Sequence, residues 1–133
     1  MLFRSGAGGF EFLRKQGMQL ASKMRFISAQ FEALLGGDLW LRSARHANEM
    51  AARLAAAVEP IEGVELVHPV EANGVFARLP RPAIDRLLAE LLGEPPFYVW
   101  DEAADVVRWM CAWDTTPDDV DAFATAIAGA VSH

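Results

Sequence analysis

Between Arg14 and Arg25 stand four cationic side chains, Arg14, Lys15, Lys23 and Arg25, with no acid among them, and the two lysines are the only ones in the chain. A lysine that attacks a carbonyl must be available as the neutral amine, and cationic neighbours and a helix start both favour that form. Ser22-Lys23, with Arg25 close by, offers this pattern. The plainer reading is a solvated lysine at the edge of an amphipathic helix. The wider segment carries a second chemistry. Arg14, Lys15, Lys23 and Arg25 flank Gly17, and Gln19 to Ser22 would open a helix whose free N–H groups favour a small anion such as a phosphate. An ordinary solvated face, pairing with acids elsewhere, accounts for the same residues.

Arg108 is the other candidate. It interrupts the apolar run VVRWMCAW, and a guanidinium among such residues is costly unless it meets an anion or water. Strand alternation puts it on one face with Val106, Met110 and Ala112. Two readings stand: an edge residue bridging to Asp101, Glu102 or Asp105, or a bidentate grip on a carboxylate ligand. Other chemistry lacks its parts. Cys111 sits in the same apolar run as a lone cysteine and reads as a core thiol. His46, His68 and His133 lie in separate segments without metal-ligand spacing, and no Ser/His/Asp set or phosphate loop is present.

The elements that must position these residues follow from periodicity. Glycines 6, 8 and 9 read as a flexible lead. Leu20, Met24, Ile27, Phe31 and Leu34 recur at helical spacing until Gly36-Gly37. Asp38 suits the cap of a second helix, with a seam of Trp40, Ala44, Ala47, Ala51, Leu54 and Val58 that stops at Glu59-Pro60. After Gly63 the period becomes two, with strands at Val64 to Val67 and Gly74 to Leu79. Pro82 to Leu92 is a short helix; Phe97 to Trp100 and Val106 to Trp113 form a hairpin around DEAAD. Thr116 as cap, Pro117 in the first turn, and Asp118 and Asp119 after it start the last helix. This order predicts an α+β fold: a short, mainly antiparallel sheet with helices on one face, preceded by two helices.

With 133 residues, 53% hydrophobic and 23% charged, the chain is long enough for one modest core. Its net charge of −6 is uneven. Residues 1 to 25 hold five cations and one acid, whereas the remainder holds seven cations and seventeen acids. Such a remainder is unsuited to wrapping nucleic acid, whose affinity comes from neutralising many phosphates. No window has the apolar length of a membrane span, and MLFRSGAGGF lacks the apolar stretch of a secretory signal, so the expected location is cytoplasmic.

Four consecutive stretches, FEFLRKQGMQLASKMRFISAQ, GDLWLRSARHANEMAARLA, HPVEANGVFARLP and VRWMCAWDTTPDDVDAF, resemble the low-specificity L-threonine aldolases. These are β-eliminating lyases among the fold type I, pyridoxal-phosphate enzymes. The resemblance runs in order from about Phe10 to the C-terminus. It implies the last third of such a polypeptide, with the small C-terminal domain of an aspartate-aminotransferase-like fold. Residues 1–37 would be a flexible start, an active-site loop and a helix ending the large cofactor domain; 38–60 would be a long linking helix, and 61–133 the small α+β domain.

By the same resemblance Lys15, Lys23 and Arg25 would approach the cofactor and its phosphate, and Arg108 would bind the substrate carboxylate. The lysine that carries the cofactor belongs to an upstream segment in that family, so no catalytic residue is expected here. The resemblance further implies cleavage of L-threonine or another β-hydroxy-α-amino acid to glycine and an aldehyde, and partnership as a homo-oligomer or with an upstream large-domain polypeptide. The chain alone is expected to be inactive, as the product of a partial gene. The other reading is a non-catalytic binding or oligomerisation module derived from that domain.

Overall fold

The computed structural model describes residues 8–17, 23–90 and 97–132. The chain divides into two compact units, one ending at Trp40 and one beginning at Leu41. In the first, α1 (Phe10–Gln16) starts after Gly9, whose φ of 80° is open to glycine, and ends where the Gly17 N–H reaches the carbonyls of Leu13 and Lys15. Helix α2 (Met24–Leu35) ends at Gly36, which donates to the Glu32 carbonyl at 2.8 Å. None of the α2 residues is buried, although Met24, Phe26, Ile27, Phe31 and Leu34 are large and apolar. The periodic pattern predicts α2 but not α1, whose seven residues are too few to display a period of 3.6. The expected start at Leu20 lies outside the described residues.

Helix α3 (Leu39–Val58) buries Ala47, Ala51, Leu54, Ala55 and Val58. The expected seam thus holds over the later turns, whereas Trp40 and Ala44 are exposed. Four strands follow: β1 (Glu65–Leu66), β2 (Gly74–Arg78), β3 (Tyr98–Asp101) and β4 (Val106–Met110). They form one antiparallel sheet in the order β1-β2-β4-β3. Helix α4 (Arg81–Glu90) connects β2 to β3, and α5 (Pro117–Val131) ends the fold. The α+β class and the antiparallel sheet agree with the sequence reading.

One face of the sheet is apolar and covered. Val75 and Ala77 of β2 and Val107 and Trp109 of β4 are buried with Leu54 and Val58 of α3, Ile84 and Leu87 of α4, and Val120 and Ile127 of α5. Period two places these strand residues on one side, the side that α3, α4 and α5 cover. Trp109 is 2% exposed and meets Phe123 edge-on, with ring centroids 5.5 Å apart.

Local chemistry fixes the ends. Asp101 accepts hydrogen bonds from the Ala103 and Ala104 N–H groups, and Asp105 takes φ 53°, which together close the β3–β4 turn. Strand β4 stops short of the expected Trp113, because the Ala112 N–H turns to the Thr115 hydroxyl at 2.8 Å. The Thr116 side chain and Asp119 then form a reciprocal capping box that opens α5. Gly63 has φ 91°, and a Cβ there would lie 2.7 Å from a methyl of Val131, so this turn requires glycine.

Candidate functional site

Arg108 lies on the sheet face opposite the helices. In the ladder it stands directly across from Phe76 on β2 and from Tyr98 on β3. A central strand therefore presents it, with an aromatic residue on each side, and the expectation of an edge position is corrected by the strand order. Two of the three acids expected to bridge to it are engaged elsewhere, and Asp105 makes no ion pair with it. Asp101 closes its own turn, and Glu102 pairs with Arg81. Among the described residues Arg108 makes no ion pair, and its Nε is enclosed without a hydrogen-bond partner.

Ring faces take the place of acids. The guanidinium carbon is 4.8 Å from the centre of the Trp100 ring and 5.9 Å from that of Tyr98, both within cation–π range. Trp100 in turn meets Phe76 edge-on at 5.4 Å, and Phe76 meets His68 edge-on at 5.6 Å. Beside the guanidinium is a concavity of about 320 Å³ that His68, Asn73, Phe76 and Met110 help to line. Asn73 is fixed there, its side-chain amide donating to the Cys111 carbonyl at 2.8 Å.

The sequence singles out Arg108 by the cost of a charge in an apolar run, but misses Phe76, Tyr98 and Trp100 as its neighbours. Alternation puts Tyr98 and Trp100 on one face of their own strand. The predicted hairpin brings their strand beside Arg108, but its register, which shifts between Val99 and Asp101, is not specified by any local signal, and Phe76 comes from a strand outside the hairpin.

The other candidates fall in the first unit, whereas Arg108 is in the second. Lys15 lies in the last turn of α1; Lys23 is the residue that caps α2, and Arg25 follows in its first turn. All three are exposed. The first turn of α2 contains no acid, so its free N–H groups and these cations act in the same sense. Ser22 and the helix start expected at Gln19 to Ser22 lie outside the described residues. Cys111 is buried, which pushes its thiol up from the ordinary range. Among the described residues no three His, Cys, Asp or Glu side chains stand together as metal ligands, and no helix is long and apolar enough to cross a membrane.

The fold and this face define a small α+β domain whose antiparallel sheet presents, away from α3, α4 and α5, an arginine that makes no ion pair among the described residues. No protein-family model matches the chain. Two curated relatives do: the low specificity L-threonine aldolase of Pseudomonas sp. (strain NCIMB 10558), 43% identical over 129 residues, which are 97% of this chain and 36% of that protein, and the low specificity L-threonine aldolase of Pseudomonas aeruginosa, 46% identical over 112 residues, 84% of this chain and 31% of that protein. The chain is thus similar to low specificity L-threonine aldolases over nearly all of its own length and spans about a third of theirs. That coverage and the α+β fold are consistent with the C-terminal portion of such a protein.

Proposed function

We propose that this chain is the C-terminal part of a pyridoxal-phosphate-dependent, threonine-aldolase-like lyase that cleaves L-threonine or another β-hydroxy-α-amino acid to glycine and an aldehyde. The observation that carries the reading is the guanidinium of Arg108. In a chain with eighteen acids it makes no ion pair among the described residues and keeps most of its donors available. A carboxylate of an amino-acid substrate fits that edge by bidentate hydrogen bonding, and so fixed the substrate would be oriented for cleavage.

The residues described fit only the anionic end of the cofactor. Lys15, Lys23 and Arg25 supply charge suited to a phosphate, but all three are exposed, and they form no enclosed seat for a ring. In such a lyase the cofactor would supply the electron sink, and this chain the binding of anions around it. Neither of its lysines is assigned the covalent role, so the chain alone is inactive and acts within a homo-oligomer or with an upstream large-domain polypeptide, in the cytoplasm. The test is to add pyridoxal phosphate and threonine, measure aldehyde release, then reduce with borohydride and map adducts on Lys15 and Lys23. The reading expects no turnover and no stoichiometric adduct; a stoichiometric adduct on Lys23 with turnover would overturn it.

A second reading, a non-catalytic association module, is favoured by one observation: α1 and α2 leave Phe10, Phe12, Leu13, Phe26, Phe31 and Leu35 exposed. Each such side chain forgoes roughly 1.5–3 kcal/mol of burial, which a partner surface would recover. Sedimentation tests this reading, since a dispersed monomer over a range of concentrations contradicts a self-associating module.

A further inference from the structure

We propose that Trp100, aided by Tyr98, is a positioning residue for Arg108, holding the guanidinium by its charge and leaving its outer N–H edge free for a carboxylate. The proposal rests on the reading of Arg108 as a carboxylate binder and adds what holds that arginine ready. A half-buried cation is ordinarily stabilised by an acid, and the acid consumes the N–H donors that a ligand would need. A ring face attracts the charge but leaves the donors in the guanidinium plane unoccupied. Here the guanidinium carbon is 4.8 Å from the Trp100 centroid, and no acid among the described residues pairs with it.

The ring is itself fixed. Trp100 belongs to β3 and meets Phe76 of β2 edge-on at 5.4 Å, although β4 lies between those two strands. It therefore reaches over the strand that carries Arg108. Phe76 and Tyr98 stand in register on either side of the arginine, so neighbouring strands restrict its stem. The enclosed Nε leaves the two terminal nitrogens to meet a ligand. Restricting a long side chain before binding removes an entropic cost that each encounter would otherwise carry.

The test uses the chain labelled with isotopic arginine, the Arg108 Nε–H signal being assigned by its loss in Arg108→Lys. Without ligand, the wild-type signal and the neighbouring side-chain protons should carry a ring-current shift and show restricted motion. Trp100→Leu should abolish both features and Trp100→Phe should keep most of them, with backbone amide spectra otherwise unchanged. Acetate is the probe and acetamide its neutral control. Acetate should shift the wild-type signal saturably, with a dissociation constant raised about fivefold in Trp100→Leu and nearly restored in Trp100→Phe. An unchanged ring-current shift and mobility in Trp100→Leu overturns the positioning role even where acetate binds. A wild-type signal indifferent to acetate overturns the carboxylate reading even where the ring-current signature stands.

Discussion

Arg108 and Trp109 are adjacent in sequence and face opposite sides of the same strand, which gives them opposite roles. Trp109 fills the core, so Trp109→Ala should cost about 3–5 kcal/mol in urea unfolding, through lost burial and the cavity left behind. Arg108 faces the open side and makes no ion pair among the described residues. Replacing it by Met keeps the apolar stem and removes the charge, and stability should stay within about 1 kcal/mol. A much larger loss would mean that the guanidinium is a structural partner and not a free binding group. At this scale the sequence was informative about cost and silent about company. An arginine inside VVRWMCAW must be accounted for, whereas the rings beside it are identified only by the register of β2, β3 and β4.

The elements differ in how locally their signals are written. The start of α5 is a local device, Thr116 with Asp119, and was legible residue by residue. Thr116→Ala should cost about 1 kcal/mol, measured by the same unfolding experiment. Its pH dependence follows from the carboxylates. The Thr116 hydroxyl, and then its N–H, hold the Asp119 carboxyl below the usual range, and a hydrogen bond from Arg53 does the same for Asp121. A pKa depressed in the folded state means stabilisation that is present above the unfolded value and lost as pH falls through the folded one. The urea midpoint of the wild-type chain should therefore fall as pH drops below about 4, and Thr116→Ala should flatten that fall. Helix α1 shows the converse. Seven residues between glycines offer too few apolar repeats to be read, and the exposed side chains of α2 satisfy a helical period without revealing what they meet.

For the molecule as a whole, the central point is that the chain spans about a third of the low specificity L-threonine aldolases it matches, while the core of its second unit is built from its own helices and sheet. The sequence made the α+β class legible because hydrophobic period and turn residues change together at Gly63 and at Thr116. It did not make the candidate site legible as a place, because Lys15, Lys23 and Arg25 fall in one unit and Arg108 in the other. Under the proposed function, this chain would supply the anion-binding part of a lyase whose covalent chemistry belongs to another segment. The most direct measurement replaces the matching third of the Pseudomonas aeruginosa relative by this chain and follows aldehyde release from threonine. The account predicts a chimera that cleaves threonine and loses most of that activity with Arg108→Met. A folded chimera that binds pyridoxal phosphate but releases no aldehyde, or one indifferent to Arg108→Met, would contradict it.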